Sequence, residues 1–439
     1  MSNKAGKRLV PELRFPEFRE AGEWEKSPLS KYVSSLDAGV SVVSGDRPAG
    51  TNEVGILKTS AVTDGLFNPL ENKVVLDKGE LRRVKEPVSG NSIIISRMNT
   101  PALVGANAYV SDSLENIFLP DRLWAAKPRR NTSMRFLAFV LGSEKGRTGL
   151  SELASGTSGS MKNITKPDVL ALEITAPLFA EQQKIADCLS SLDDLIAAQA
   201  KKIEAFKAHK KGLMQQLFPA EGETVPCLRF PEFRDAGEWG KGQLITLSNE
   251  PLSNGVFNDP KKVGVGYKLI NVSDMYIDTA IDEDCLFLLE LSPSEFEVNQ
   301  VKHGDIFFTR SSLVKSGIAV SNIYLGNSSD VTFDGHLIRF RANANKVIPL
   351  FAHYLFKTAP IRAQLIARGK SATMTTISQK DVASVVLFYP DKVEQQKIAD
   401  CLTSLDDLIT AQTEKIEALK TQKQGLMQGL FPSINEAEA

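Results

Sequence analysis

Between residues 181 and 219 the apolar residues fall at Ile185, Leu189, Leu192, Ile196, Ile203, Phe206, Leu213 and Leu217. Their spacing alternates between four and three, which is the heptad seam of a helix presenting one apolar stripe. Two seam positions are polar, Gln199 and Lys210. The pattern returns between residues 394 and 432 as Ile398, Leu402, Leu405, Ile409, Ile416, Leu419, Leu426 and Leu430, with Gln412 and Lys423 in the same two polar slots. The stretches align without a gap at an offset of 213, and 30 of 39 positions are identical. Each ends in Leu-Phe-Pro, where Pro219 or Pro432 stops the helix.

A helix with one apolar stripe needs a partner, and the other copy is available. In a parallel pair equivalent positions meet, so Lys210 would face Lys423 inside the seam, two like charges out of water. Antiparallel pairing closes all ten layers: Ile185 meets Leu430, Leu192 meets Lys423, Gln199 meets Ile416 and Lys210 meets Leu405. Flanking charges agree, with Asp193 expected near Lys420 and Lys207 near Asp406. A helix of this length spans roughly 55 Å at 1.5 Å per residue, a ruler with one block of chain at each end.

The intervening blocks carry short β-type runs broken by Gly, Asn, Asp and Pro. "NSIIISR" and "ANAYVSD" occur in one, "GDIFFTR" and "HLIRFRA" in the other, and helical stretches follow ("MRFLAFVLGSE", "PLFAHYLFKTAPIRAQLIARG"). The offset of 213 lays "SIIISR" on "DIFFTR", "SGSMKNIT" on "SATMTTIS" and Asp121 on Asp334. Before each block stands "LRFPEFREAGEW" or "LRFPEFRDAGEW", whose Phe15, Phe18, Phe230 and Phe233 are expected as core. The chain reads as an α+β protein: two similar mixed α/β domains separated by two long helices that form an antiparallel coiled coil with pseudo-two-fold symmetry. The expected divisions are an N-terminal segment 1–25, a first domain 26–176, a central helix 177–219, a connector 220–240, a second domain 241–390, a C-terminal helix 391–432 and a tail 433–439.

Composition narrows the class without naming a function. Hydrophobic residues make up 42% and charged residues 24% of 439, and the net charge is −1, so charge alone does not mark a nucleic-acid clamp. Residues 26–176 carry 19 Lys and Arg against 15 Asp and Glu, and residues 241–390 carry 15 against 14. The N-terminus lacks a signal-peptide core and no apolar run reaches 18 residues, so cytosol is the expected compartment. Cys188 and Cys401 are one residue of the two copies, and no CxxC occurs with them, Cys227 or Cys285; reduced thiols are expected. "ARGKS" lacks the first glycine of a phosphate loop, the four histidines are scattered, and no GxSxG, HExxH or metal-ligand cluster appears. No catalytic constellation and no metal site is found.

Two variable domains, two repeated helices and no chemistry resemble one family, the specificity subunits of type I restriction–modification systems. The marks are "SGSMKNITKPDVLALEITAPLFAEQQKIADCL" and "SATMTTISQKDVASVVLFYPDKVEQQKIADCL", above all the "EQQKIADxLxxLD" helix start. The family often has Gln where this chain has Met161 and Met374. The resemblance implies that each domain is a target recognition domain reading one half of a bipartite, asymmetric double-stranded DNA site. The helix pair would set the spacing and dock two methyltransferase subunits that carry S-adenosylmethionine and methylate adenine N6. Two motor–nuclease subunits using ATP and Mg would join for restriction, in phage defence. The chain itself would bind no cofactor and catalyse nothing, within the prokaryotic cytosol at the nucleoid.

Base reading falls to polar and cationic side chains on loops. The candidates are Lys58, Ser60, Arg97, Ser158 and Lys162 in the first domain, with Asn271, Ser273, Arg310, Ser371, Thr373 and Thr375 in the second. Two rivals stand beside this reading: a coiled-coil adaptor that binds only proteins, and an enzyme whose site the sequence hides.

Overall fold

The computed structural model describes residues 9–63, 65–155, 161–371 and 373–432. They form two compact units, one made of the residues up to Ala197 with those from Glu417 onward, the other of Ala198–Ile416. Each unit holds one variable block and part of each long helix.

In the first unit the strand Ser92–Ser96 is buried along its whole length, which is why it reads as an unbroken apolar run. Successive side chains point to opposite faces of a strand. Ile93 and Ile95 therefore enter one apolar core, with Trp24, Phe136 and Ile185, while Ile94 enters another with Leu57, Val62 and Leu123. The second unit repeats this with Ile306–Thr309: Ile306 and Phe308 face one core and Phe307 the other. Each such strand is central in an antiparallel sheet of four, ordered Val33–Ala38, Leu123–Pro128, Ser92–Ser96, Asn107–Val110 in the first unit. The second has Ser253–Asn254, Leu337–Phe340, Ile306–Thr309, Ser321–Ile323. A second sheet in each unit contains one parallel pair, Gly55–Leu57 with Leu114–Phe118 or Val263–Ile270 with Val331–Phe333. A two-stranded ribbon joins the start of each block to its end: Glu25–Pro28 with Glu173–Ala176, and Gly240–Gln243 with Val386–Tyr389.

The long helices run Phe179–Leu217 and Lys392–Leu430. Within the first unit Ile185 shares a core with Leu430, and Asp193 bonds Lys423 at 2.6 Å. As one chain advances the other retreats, so the segments are antiparallel. Within the second unit Lys210 bonds Asp406 at 2.5 Å and Leu217 shares a core with Ile398, again antiparallel. Ile185, Leu189, Ile203, Leu217, Ile398, Leu402, Ile416 and Leu430 are buried. Leu192, Ile196, Gln199, Phe206, Lys210, Leu213, Leu405, Ile409, Gln412, Leu419, Lys423 and Leu426 are half-buried.

The charge partners differ from the expectation. Asp193 and Asp406 take the seam lysines Lys423 and Lys210, not the flanking Lys420 and Lys207. A lysine buries its stem in an apolar seam and extends its ammonium to the rim, where these carboxylates stand. Lys420 turns to Glu417 on its own helix, and Lys207 lies near Glu204 and Asp278. The ammonium of Lys423 also lies over the Phe139 ring and that of Lys210 over Tyr354, each at 5.1 Å.

The "LRFPEF" segments are clips on the helix starts. Arg14 donates through Nε and Nη2 to Glu181 at 2.8 and 2.7 Å, and through Nη1 to the Gly22 carbonyl. Arg229 does the same to Glu394 and Gly237. Both carboxylates are buried, and bonding to them raises the guanidinium pKa of each arginine. The next residue is equally committed. Gln182 accepts from the Ser133 N–H and donates to the Pro177 carbonyl, while Gln395 accepts from Ile348 and donates to Pro390 and Lys346. Of the four expected core phenylalanines Phe233 is buried, whereas Phe15, Phe18 and Phe230 are half-buried. Phe15 and Phe230 pack against the cores beside the clip, and the arginine makes its polar link.

Candidate nucleic-acid interface

Beyond the end of each central strand the chain turns through a short loop beside a very small sheet. In the second unit Ser311–Ser312 pairs with Thr375–Thr376, which pairs with Lys370–Ser371. In the first unit Met98–Asn99 pairs with Lys162–Asn163. These strands are two residues long, so few backbone bonds hold them and most of their side chains are left partly or fully open.

The residues expected to read bases divide into two groups. Some already have structural partners. Lys58 and Ser60 both bond Glu71, at 3.4 and 2.6 Å, and this bonding holds the carboxyl below its usual range. Asn271 is the cap of a short helical turn, accepting from Val272, and Ser273 bonds Asp274. Arg97 is half-buried and donates to the Asp121 carbonyl at 2.6 Å. Thr375 is buried and bonds Ser371 at 3.2 Å. Others stand at the small sheets: Arg310, Thr373 and Ser371, the partner of Thr375, are exposed around that of the second unit, and Lys162 is half-buried in the corresponding strand of the first unit. Ser158 lies outside the described residues. Arg310 has no side-chain hydrogen bond or ion pair among the described residues, so its charge faces solvent.

Charge is unevenly placed in the second block. Residues 306–380 contain ten Lys and Arg against two Asp, Asp330 and Asp334, although the block as a whole is nearly balanced. The loop and small sheet fall inside this stretch, where Arg310, Lys315 and Lys370 are all exposed. A cationic patch carrying hydroxyl and guanidinium donors is suited to phosphates and base edges. Sequence reading missed this because a whole-block total averages the cationic half against an acidic one.

The long helices display a second surface. In residues 181–196 six positions are exposed: Gln183, Lys184, Asp187, Ser191, Asp194 and Leu195. All six are identical at residues 396, 397, 400, 404, 407 and 408, which are exposed too. Of the thirteen exposed positions in residues 197–217 of the first helix, seven differ. Internal packing requires no identity at exposed positions. Leu195 and Leu408 are 48% and 45% exposed, an apolar residue open to solvent at the same place twice.

Known proteins place the chain. A family model for the type I restriction modification DNA specificity domain matches residues 55–207 and again 261–421. The EcoKI specificity subunit of the Escherichia coli type I restriction enzyme is 21% identical over 346 residues, covering 78% of this chain and 73% of that one. The MjaVIII specificity subunit of Methanocaldococcus jannaschii is 24% identical over 285 residues, 63% of this chain and 65% of its own. The crystal structure of the type I restriction–modification S subunit from M. genitalium superposes with a TM-score of 0.60 at 15% identity, over 97% of this chain and all of that one. Among the described residues no helix is long and apolar enough to cross a membrane, and no group of His, Cys, Asp and Glu is placed to hold a metal ion. With one match in each variable block, each running on into the long helix that follows it, the chain belongs to the family of type I restriction–modification DNA specificity subunits.

Proposed function

We propose that each unit reads one half of a bipartite, asymmetric DNA site, and that the two helix starts dock two copies of one methyltransferase subunit. The observation that carries this reading is the opposed distribution of likeness. The loops beside the small sheets differ between the units, while the exposed positions of residues 181–196 are the same, residue for residue, in 394–409. Two different half-sites and two identical partners call for that distribution. Arg310, Ser371 and Thr373 contact DNA in the second half, with Lys162 and Ser158 in the first. Lys58, Ser60, Arg97, Asn271, Ser273 and Thr375 shape the loops that carry such contacts. S-adenosylmethionine belongs to the methyltransferase, and ATP with Mg to a motor–nuclease subunit in the restricting complex. Helix length sets the spacing of the half-sites.

The test is sequencing of N6-methyladenine in DNA from cells expressing this chain with its methyltransferase. One split motif, methylated once on each strand, is the expected result. Exchanging one variable block for that of another specificity chain should change one half of the motif and leave the other. An active complex that gains no motif would overturn DNA reading and favour a protein-binding adaptor.

A further inference from the structure

The cationic loop of the second unit ends in apolar residues that nothing covers. Leu313 is 83% exposed and Val314 61%, between exposed Arg310 and Lys315. Ser312 pairs with Thr375 in antiparallel register, so the next residues outward are Leu313 and Met374, and Met374 is 40% exposed as well. The first unit has Thr100, Pro101 and Ala102 at the exposed tip of its loop.

We propose that the Leu313–Val314 tip reads thymine through apolar contact with its C5-methyl group, an inference that rests on this unit being a DNA reader. Three observations converge on that occupant. The flanking side chains Arg310 and Lys315 are exposed cations and no carboxylate occurs from residue 306 to residue 329, so the loop itself complements a polyanion. The apolar groups are few and sit among hydroxyls (Ser311, Ser312, Ser316, Thr373), unlike the broad apolar centre of a stable protein interface. In the major groove, the thymine methyl is the feature of the four bases that an aliphatic side chain recognises by burial, whereas hydrogen-bonding groups recognise the others. Arg310 and Lys315 would hold the phosphates on either side, and the tip would stand between them at base level.

The experiment uses the complex of this chain with its methyltransferase and duplexes carrying the methylated motif. Each thymine in the half assigned to the second unit by block exchange is replaced in turn by uracil, which lacks only the methyl group. The expected result is a loss of about three- to ten-fold in affinity at one position, the scale of one buried methyl group. Leu313→Ala should bind the thymine and uracil duplexes equally there, with unchanged thermal stability because the residue is exposed. If Leu313→Ala weakens both duplexes alike, or changes neither, the methyl reading is overturned while sequence-specific binding stands. If the wild-type complex does not distinguish the motif from one with a scrambled second half, DNA reading by this unit falls first, and the methyl reading with it.

Discussion

The two units are one scaffold used twice, and they differ where side chains leave the core. Both place an all-buried strand between two apolar cores and clip the helix start with a buried Arg–Glu pair. Each also sets a seam lysine against an aspartate and an aromatic ring. Yet that ring is Phe139 in the first unit and Tyr354 in the second, where its hydroxyl bonds Asp406 at 2.7 Å and Thr403 at 3.2 Å. Burial raises the Tyr354 pKa. Beside it lie His353, whose pKa burial pushes well down, and Lys357, pushed down to about 8 by burial and then by Lys210. Trp24 donates to Glu181 at 3.4 Å, whereas the buried indole nitrogen of Trp239 has no partner among the described residues. The scaffold tolerates such exchanges because its shape is held by burial and by the clip.

The largest test of that equivalence removes the clips. Arg14→Ala and Arg229→Ala each leave a buried carboxylate unpaired, and each should destabilise its own unit by about 3–5 kcal/mol. Hydrogen exchange resolved by segment should show protection lost in the mutated unit; equal loss in both would break the picture of two separately clipped units. Next in size is docking. Leu195→Asp with Leu408→Asp should cut motif methylation at least about tenfold, the loss of one buried anchor per site, without altering thermal stability. Either single change should leave partial methylation, and full activity of the double variant would remove these leucines from the docking face.

The pH tests sharpen the contrast between the units. Lys357 has a folded pKa near 8 against an unfolded value of about 10.4, so the unfolded chain binds more protons between those values. Stability of the second unit therefore rises as pH climbs through that window, and below pH 8 the cost of burying the charge is present in full. Lys357→Met should stabilise that unit by about 1–3 kcal/mol at pH 7 and flatten the rise, leaving the first unit unchanged. His353 gives the same sign on the acid side: below about pH 6.5 the unfolded chain takes up its proton first and stability falls. Equal pH profiles for the two units would sink both statements. Smallest is the seam. Gln199 and Gln412 have buried amide oxygens without partners among the described residues, so Gln199→Leu with Gln412→Leu should raise stability by about 1 kcal/mol in urea unfolding.

Much of the architecture was legible in the chain. Period fixes a helix and duplication supplies its partner, and the cost of facing two lysines in a parallel seam selects antiparallel pairing. Base-reading candidates were far less legible. Lys58 and Arg97 look like free cations in the sequence, but Glu71 and the Asp121 carbonyl hold them, and sequence shows side chains without showing which are already engaged.

By itself, then, the sequence determined the repeat, the seam, the β-rich blocks and the family. These depend on local periodicity or on two segments being alike, and both are visible along one dimension. Tertiary structure alone decided that Arg14 reaches Glu181 and Arg229 reaches Glu394, 167 and 165 residues away. It decided that the seam lysines take Asp193 and Asp406, and that Leu313 stands open among cations. Those outcomes turn on which groups lose water and which keep it, and that is set only when distant segments close on one another.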